Sequence, residues 1–556
     1  MKKNVASKII AGALATTMVL GMAACGDDSS NASGSASGSS SSSSQQASNS
    51  SSSSATPAPE VTPEPEDRTP MNITVSLPSD ETHTDANEWY DKLVAEINEY
   101  TDMNVTWQWQ AQATYYDAEH LGLWISTGNV PDVMVVGKDA TFLNAAESGL
   151  FWDLTDYLKD YDNLASISEV ALENASYNGK VYGIPRSRTV ARNGLGYRVD
   201  WLNNLGLKEP TTWEDFSAML YAFTYNDPDG NGVDDTVGLA LDSWNGVFDI
   251  METWFGVPNV WGIDANGDLI HKSQTEEYKT ALKAFRELYS QGVINNGANG
   301  IPDFMDVTAG KARDQLLRTG LAGCGVQVLD DQRKVETYFE DQGLSTDEEN
   351  IYTLQGYVDT GLGPLCYPTT GMNNMIAIST VNVKTEQQLK RVLLFLNELC
   401  DGECMNLIEY GWEGLTYSIN ENGYVADFTS DELTASGVGS KNYSNGFNQI
   451  IAYWTAEENA RPVSRESGTS TITRLEQKLY AEDVQYCVPN YGAGYTSDTY
   501  VAQGAALDTI LSESLISYIK GEIDDAGLEA ALTQWWTAGG ETVTKEMNAL
   551  YHAAGN

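Results

Sequence analysis

The chain has 556 residues, 41% of them apolar, and its 78 acidic against 32 basic side chains give a net charge of −46. This length exceeds what one hydrophobic core serves, so two or more lobes are expected. Nucleic acids and anionic membranes are polyanions that this negative field would repel, and no basic stripe interrupts the sequence to bind them. The composition therefore excludes a nucleic-acid-binding protein and disfavours strongly anionic ligands, although one local arginine could still hold such a ligand.

The N-terminus predicts export and a lipid anchor. Three lysines precede an apolar run from Ile9 to Ala24, which has the order of a signal peptide and is too short and alanine-rich to span a bilayer. The run ends in MAAC, which resembles a bacterial lipobox. That resemblance implies that residues 1–24 are removed and that Cys25 carries diacylglycerol on its thiol. The alternative is an ordinary cleaved signal peptide followed by an accidental cysteine.

A low-complexity segment follows the cysteine. Residues 26–56 are nearly all Ser with some Gly, Ala, Asn and Gln, and residues 57–70 are rich in Pro, Thr and Glu. Neither segment can bury enough apolar surface to offset the entropy of ordering. Residues 25–70 are therefore predicted to be a flexible linker with a root-mean-square reach of roughly 35–40 Å. The folded body would then lie at the extracellular face of the cell membrane, which it meets through the lipid alone.

The remaining cysteines do not form a recognisable framework. Five remain once Cys25 is set aside, and an odd number is a poor basis for a set of disulfides in an exported protein. Cys400 and Cys404 lie one helical turn apart and could bond or bind a metal, but no histidine or second cysteine pair accompanies them. Buried free thiols are the favoured interpretation.

The folded part begins with alternating strand and helix patterns. Strand-like alternation marks 72–77 and 104–110, and the apolar run at 131–136 is typical of a doubly buried parallel strand. Helical spacing of apolar residues separates them, over Trp89–Tyr100 and again from Leu121 to the closing glycine at 128. The order β-α-β-α-β predicts an α/β lobe with right-handed crossovers.

The third predicted strand points to a binding edge. Ligands of open α/β sheets bind beyond the carboxyl ends of the strands. Gly137, Lys138 and Asp139 come directly after the third strand and are expected at such an edge.

Six sequence segments carry a family resemblance, namely GNVPDVMVV (128–136), SGLFWDLTDYL (148–158), NGKVYGIP (178–185), GYRVDWLNNLGLKEPTTWEDF (196–216), LKAFRELYSQGVI (282–294) and AISTVNVKTEQQLKRVLLFLNEL (377–399). In this order they resemble bacterial extracellular solute-binding proteins, the lipoproteins that deliver ligands to ABC importers and that include maltose-binding proteins. The resemblance covers most of residues 71–420. The C-terminal part resembles the family only through helices with apolar residues at Leu507, Ile510, Leu511 and Leu515.

The resemblance implies an α/β, two-lobe fold like that of periplasmic binding proteins, with a hinge and a ligand cleft between the lobes. The first lobe is predicted to comprise 71–187 and 372–412, and the second 188–367 and 416–556. Such a protein is not an enzyme. It is implied to capture a small solute as a monomer, to close by hinge bending, and to deliver the solute to the permease subunits of an ABC transporter.

The segment DPDGNGVDDTVG (227–238) spaces acidic and amide side chains two apart around Gly232. Calcium takes six to eight oxygen ligands, and glycine permits the sharp turn such a loop needs. Members of the resembling family often carry D-P-D-x-N-G-x-x-D-E-I-P, whose first, third, fifth, seventh, ninth and tenth positions ligate calcium. The resemblance implies a structural calcium ion held by Asp227, Asp229, Asn231, the Val233 carbonyl, Asp235 and Thr236. Threonine stands where the family prefers Glu, so weaker binding is expected. A plain Asp-Gly turn is the alternative.

The aromatic composition favours a sugar ligand. The chain has 14 Trp and 29 Tyr against 12 Phe, and such rings offer a flat apolar face together with a polar group. The ligand loops of the resembling family imply these candidate ligand-binding residues: Asp139, Arg188, Trp244, Asn245, Gln327, Tyr491 and Tyr495. The charge of the chain favours a neutral oligosaccharide, since an acidic one would need Arg188 or Lys138. Peptides and other small solutes are the alternative ligands.

A surface-anchored carbohydrate-active enzyme, such as a glycoside hydrolase, is the alternative function. It would need two positioned carboxylates, which 78 acidic residues supply by chance. The sequence has only four histidines and no H-E-x-x-H zinc motif.

Overall fold

The computed structural model describes residues 67–79, 88–115, 118–244, 246–306, 312–346, 349–453, 461–464 and 470–555. The predicted signal peptide, Cys25, almost all of the predicted linker and Asn245 lie outside these residues. Among the described helices, none combines the length and the apolar character needed to cross a bilayer.

The strands form two main sheets and three hairpin-like pairs. They are β1 (Met71–Ser79), β2 (Met103–Ala111), β3 (Val133–Val136), β4 (Ser176–Tyr177), β5 (Lys180–Val181), β6 (Ile184–Ser187), β7 (Asn193–Arg198), β8 (Val237–Ala240), β9 (Trp261–Ile263), β10 (Leu269–His271), β11 (Ala322–Val328), β12 (Tyr352–Gln355), β13 (Met372–Ile378), β14 (Tyr417–Ile419) and β15 (Val425–Asp427). The first sheet has the order β2-β1-β3-β13-β6, and the second has the order β12-β7-β11-β8.

The helices cover both sheets. They are α1 (Glu88–Thr101), α2 (Gln112–Tyr115), α3 (Ala118–Thr127), α4 (Ala140–Glu147), α5 (Asp162–Ala165), α6 (Glu169–Ala175), α7 (Val199–Leu205), α8 (Trp213–Tyr225), α9 (Gly246–Trp254), α10 (Glu276–Ser290), α11 (Ala312–Arg318), α12 (Leu329–Asp341), α13 (Glu386–Glu398), α14 (Gly402–Glu409), α15 (Ser430–Ala435), α16 (Thr471–Asp483), α17 (Asp498–Ile519), α18 (Asp525–Trp535) and α19 (Glu541–Ala553).

The β-α-β-α-β order predicted for the first lobe is confirmed by β1, α1, β2, α3 and β3. Strand β1 runs parallel to both β2 and β3, and its inward residues Ile73, Val75 and Leu77 are buried. Asp132 locks the pairing, because its carboxylate accepts the Thr74 backbone N–H at 2.7 Å and the Thr74 hydroxyl at 3.0 Å. The alternation of the sequence is followed by burial at the start of β1, while Val75 to Ser79 are all buried, as in a strand covered on both faces.

Each sheet has its own apolar core, which makes two lobes. The chain leaves the first sheet after Ser187 and enters the second at Asn193, and it returns from Gln355 to Met372. We call 356–371 the return segment. The limits predicted for the first lobe, residues 187 and 372, are the last residue of β6 and the first residue of β13.

The packing differs from the predicted boundaries after residue 416, where the second lobe was expected to begin. The buried apolar residues between 433 and 452 belong to the first core. Phe447 packs edge-on against Trp107 and Trp109 of β2, with ring centroids 4.9 and 5.0 Å apart. The chain joins the second lobe only with α16, where Ile472 packs against Leu329. The segment runs through short 3-10 turns, which have no periodicity that a sequence pattern reveals.

The C-terminal helices complete the second lobe. Helix α17 confirms the predicted late helix, and its residues Leu515, Tyr518 and Ile519 join the second core together with Leu528 and Leu532 of α18. Trp535 of α18 and Met547 of α19 close a smaller cluster against Trp261 of β9.

Candidate ligand-binding cleft

A cavity of about 750 Å³ is lined by residues of both lobes and of the return segment. The first lobe contributes the residues that follow β3 together with Asn174 and Met372, and the second lobe contributes residues of α9, β9, β10 and most of the length of α17. The polar and aromatic residues that line it include Lys138, Asp139, Asn174, Asp249, Trp261, His271, Lys272, Thr370, Tyr495, Tyr500 and Asp508. A concave space of this size suits a small ligand.

The carboxyl end of β3 supplies the first-lobe wall, as the α/β pattern predicted. Asp139 is the N-cap of α4, and its carboxylate accepts the Phe142 backbone N–H at 2.8 Å. Lys138 donates through its ammonium group to the carbonyl oxygens of Asn174 at 3.0 Å and Ala493 at 3.4 Å. Burial lowers the pKa of Lys138 to about 8, so the side chain is still mainly a cation at neutral pH.

A stretch of chain before α17 is held against the first lobe. We call 490–497 the cleft segment. Besides the contact of Lys138 with Ala493, the Asn178 backbone N–H donates to the Gly494 carbonyl at 3.0 Å. The Thr496 N–H donates to the Asn178 side chain at 3.3 Å. These bonds place Tyr495 in the cavity wall, where its ring meets Tyr551 edge-on at 6.0 Å.

A buried ionic group forms part of the second-lobe wall. The Lys272 ammonium contacts the carboxylates of Asp249 and, at 2.8 Å, Glu252. Burial alone would lower the pKa of Lys272, but the two carboxylates raise it well above the ordinary lysine value. Burial raises the pKa of Glu252 to about 7, against the opposing effect of Lys272. The Asp249 side chain, 31% exposed, faces the cavity and can accept hydrogen bonds there.

Aromatic rings surround a neutral histidine next to this group. The His271 ring stacks on Trp535 at 4.5 Å and meets Trp261 edge-on at 5.1 Å. Burial lowers the pKa of His271 to about 3, so the ring is uncharged. Its Nδ1 accepts the Ser273 backbone N–H at 3.3 Å. The imidazole therefore acts as a packed wall residue and not as a cation.

The structure brings two of the predicted ligand residues, Asp139 and Tyr495, into one cavity. Arg188, Trp244, Gln327 and Tyr491 lie outside its lining. Arg188 donates to the Ser187 carbonyl at 2.7 Å, and the Gln327 side chain accepts the Val328 N–H at 3.1 Å. Trp244 and Tyr491 are exposed residues. Asn245 lies outside the described residues.

Several cavity residues had no signal in the sequence. Asp249 lies on α9, Tyr278 lies on α10 and Lys272 directly follows β10, and the three converge only because these parts of the chain pack together. Trp261 lies in a short strand, where an aromatic residue is as typical of core packing as of a binding site.

The acidic loop after α8 fits a cation in part. Asp227 accepts the Gly232 N–H through Oδ2 at 2.9 Å, while its Oδ1 is buried and lacks a hydrogen-bond partner among the described residues. The Asn231 amide spans Asp229 at 2.9 Å and Asp235 at 3.3 Å. The Asn231 amide therefore contacts two carboxylates, and one oxygen of the neighbouring Asp227 carboxylate has no hydrogen-bond partner among the described residues. Within the described residues, no group of three or more His, Cys, Asp or Glu side chains is already arranged to hold a metal ion.

Thr236 does not fit its predicted place among the ligands. Its side chain is buried, and the hydroxyl donates to the Phe223 carbonyl of α8 at 2.7 Å. The threonine side chain is uncharged and short, so it packs against α8. The longer side chain of a glutamate would reach the loop. Any ion in this loop would be held without the Thr236 side chain.

The fold and the cavity define a two-lobe binding protein, and comparisons with known proteins agree. Residues 92–323 match the model of the family described as bacterial extracellular solute-binding protein. Lipoprotein LipO of Bacillus subtilis is 32% identical over 465 residues, which are 82% of this chain and 88% of LipO. The polygalacturonan/rhamnogalacturonan-binding protein YtcQ of Bacillus subtilis is 27% identical over 468 residues, which are 84% of this chain and 89% of YtcQ.

A solved structure shares the fold. The HMO-binding, ABC-transporter-associated solute-binding protein of Bifidobacterium longum infantis superposes with a TM-score of 0.63 at 19% identity, over 87% of this chain and 99% of that one. The chain belongs to the bacterial extracellular solute-binding proteins.

Proposed function

We propose that the protein binds an oligosaccharide in the cavity between its lobes and delivers it, as a monomer, to the permease subunits of an ABC transporter. The observation that carries the proposal is the cavity of about 750 Å³, lined from both lobes by aromatic rings and hydrogen-bonding groups. Sugars present apolar C–H faces to such rings and hydroxyls to such groups. The sugar ligands named for YtcQ and for the Bifidobacterium protein support this class of ligand.

The charges of the cavity wall favour a neutral sugar. Lys272 already contacts two carboxylates, so its charge is more than balanced. Lys138 is the other lysine of the lining, to which Asp139, Asp249 and Asp508 contribute three carboxylates. A uronate would bring a further negative charge to a wall with more carboxylates than lysines. Neutral hydroxyl groups can donate to Asp249 without such a cost.

The ligand prediction is tested by calorimetry with matched neutral and acidic oligosaccharides at two salt concentrations. Neutral sugars should bind tighter and with little dependence on salt, since only charged ligands lose affinity through screening. Tyr495→Ala should weaken binding about thirtyfold, the effect of losing about 2 kcal/mol at a central aromatic contact. Tyr221→Ala is the matched control, because Tyr221 is an exposed residue of α8 outside the cavity.

Two results would contradict this prediction. Tight binding of a peptide and of no glycan would refute the sugar ligand while leaving the importer role. Tighter binding of the acidic sugar, weakening as salt rises, would refute the neutral one. The same sugars should be recovered uncut after incubation, and cleavage would favour the alternative of a carbohydrate-active enzyme over a substrate-binding protein.

We further propose that the loop after α8 binds calcium through Asp227, Asp229, Asn231, Asp235 and the Val233 carbonyl. The unpaired Oδ1 of Asp227 and the two carboxylates that the Asn231 amide contacts support this. Calcium would supply a charge that neutralises the carboxylates, and oxygen ligands of this kind are those it prefers. The role is structural, since the loop lies between α8 and β8 and not in the cavity lining.

Chelation should therefore lower the melting temperature. An ion present at a hundred times its Kd stabilises the folded state by about 2.7 kcal/mol. Asp227→Asn should abolish the response to chelator. Asp264→Asn is the matched control, because Asp264 in the similar D-x-N-G turn is saturated by the backbone N–H groups of Asn266 and Asp268 at 2.8 and 3.0 Å. A melting temperature that stays the same after all calcium has been removed would contradict the calcium site.

We also propose that a lipid on Cys25 anchors the protein at the extracellular face of the cell membrane. The MAAC sequence and the name of the relative LipO as a lipoprotein support this. Cys25→Ala should release the protein into the medium or leave it unprocessed, which immunoblots of cell and medium fractions would detect. Retention of a processed Cys25→Ala protein in the membrane would contradict the anchor.

A further inference from the structure

Two cysteines that are far apart in the sequence meet in the second lobe. Cys366 lies in the return segment, between β12 and β13, and Cys487 lies between α16 and the cleft segment. Cys366 is buried and Cys487 is partly buried. No disulfide joins any of the five cysteines within the described residues of the structure.

The backbone holds the two residues directly opposite each other. Cys366 and Cys487 form a parallel β-bridge. The Cys366 N–H donates to the Tyr486 carbonyl at 2.9 Å, and the Val488 N–H donates to the Cys366 carbonyl at 3.0 Å. Residues paired in this way lie roughly 4.8 Å apart and direct their side chains to the same side. A disulfide needs a separation between Cα atoms of about 4.4–6.8 Å, so this pairing satisfies it.

We propose that Cys366 and Cys487 are joined by a disulfide bond in the extracellular protein. The family to which the chain belongs acts outside the cytoplasm, where disulfides form and persist. The odd number of cysteines is then explained as one bonded pair and three buried thiols. Each of the three lies inside an apolar core, Cys324 in the second and Cys400 with Cys404 in the first.

The partly exposed thiol is the one that reacts first with an external oxidant. With a small disulfide such as oxidised glutathione, the Cys487 thiolate attacks one sulfur, forms a mixed disulfide and releases one glutathione thiolate. The Cys366 thiolate then attacks the Cys487 sulfur and releases the second glutathione. Two protons leave the cysteines for the two glutathione thiolates, and two electrons pass from the protein to the oxidant.

The surroundings make this reaction slow in the folded protein. Burial, and after it the Asp483 carboxylate, raises the pKa of Cys487 to about 12 and that of Cys366 further. Thiolates are the attacking species, so few are present at neutral pH. The bond is therefore expected to form as the chain folds, before the two thiols are enclosed.

The bond would strengthen a junction next to the ligand cavity. Thr370 at the end of the return segment and Asn490 at the start of the cleft segment both line that cavity. Cys366 lies four residues before one of them and Cys487 three residues before the other. A covalent link between these segments would fix their spacing while both lobes remain free to move.

The test uses the full chain with Cys25→Ser, reduced, unfolded and refolded in a glutathione redox buffer. Non-reducing proteolysis and mass spectrometry should yield the peptide pair that links Cys366 and Cys487. It should be roughly tenfold more abundant than any other linked pair, since the β-bridge holds these two residues directly opposite each other. The count of thiols in the denatured protein should fall from five to three. The oxidised protein should melt several degrees above the reduced one.

Matched cysteine variants decide the outcome. Cys366→Ser and Cys487→Ser should each keep four thiols and lose the shift in melting temperature on reduction. Cys404→Ser should keep the linked peptide, because its thiol lies in the first core. Cys487 is only partly buried, so its serine variant tests the bond even where Cys366→Ser fails to fold. Five free thiols after refolding, or a different linked pair, would overturn the proposal.

Discussion

Lys272→Met is expected to lower the free energy of unfolding of the second lobe by about 3–5 kcal/mol, because it leaves two carboxylates without their cation. Glu252 is only 1% exposed, and one of its oxygens already lacks a hydrogen-bond partner among the described residues. Water cannot replace the lost ammonium at such a place, so the charge of Glu252 must be neutralised or the lobe opened. Denaturant unfolding with hydrogen exchange read by mass spectrometry would measure the loss and locate it.

The pH dependence of this loss has a definite sign. Burial raises the pKa of Glu252 to about 7 from an ordinary value of 4.5. The folded protein thus binds that proton more tightly than the unfolded chain, and stability falls as pH rises through this interval. Without Lys272 the pKa of Glu252 should rise further, so the fall continues to higher pH. The deficit of Lys272→Met should therefore be larger at about pH 8 than at about pH 5.

Two further variants separate charge from packing. Lys272→Met combined with Glu252→Gln should recover part of the stability, since an uncharged amide replaces the stranded carboxylate. Lys545→Met is the control for loss of an ion pair as such. Lys545 is 73% exposed and pairs with Glu541 on the surface of α19, so its loss should cost less than about 1 kcal/mol. Equal losses for Lys272→Met and Lys545→Met would contradict the role of the buried group.

Phe447→Ala is expected to destabilise the first lobe by about 3–5 kcal/mol, the cost of emptying a fully buried aromatic site. Its ring packs edge-on against two tryptophans of β2 and is fully enclosed. Hydrogen exchange should rise in β1 and β2 and stay unchanged in the second sheet. Loss of protection in the second sheet instead would contradict the assignment of residues 433–452 to the first core.

A large exposed residue provides the control for this substitution. Leu344, after α12, is 62% exposed, so Leu344→Ala removes an apolar side chain that is mostly in water already. Its effect should stay within about 0.5 kcal/mol, as is usual for surface positions. The difference between the losses of stability in the two alanine variants shows how much of the Phe447→Ala effect comes from emptying a buried site.

The sequence by itself determined the elements whose signal is local. Alternating and helical spacing predicted β1, α1, β2 and α3, and a continuous apolar run predicted β3, which is buried on both faces. The same logic placed Asp139 at the carboxyl end of a strand, where the structure finds it in the cavity wall. The six family-like segments were enough to indicate a two-lobe solute-binding protein.

Only the tertiary structure decided the features that depend on distant partners. Lys272 meets Asp249 and Glu252 because the short 3-10 turn that follows β10 packs beside α9, and no spacing along the chain predicts that contact. Thr236 turns to the Phe223 carbonyl because a short neutral side chain gains more from the adjacent helix than from the loop. Residues 433–452 fill a gap in the first core through irregular turns, where burial follows the shape of the gap and not a repeat of the backbone.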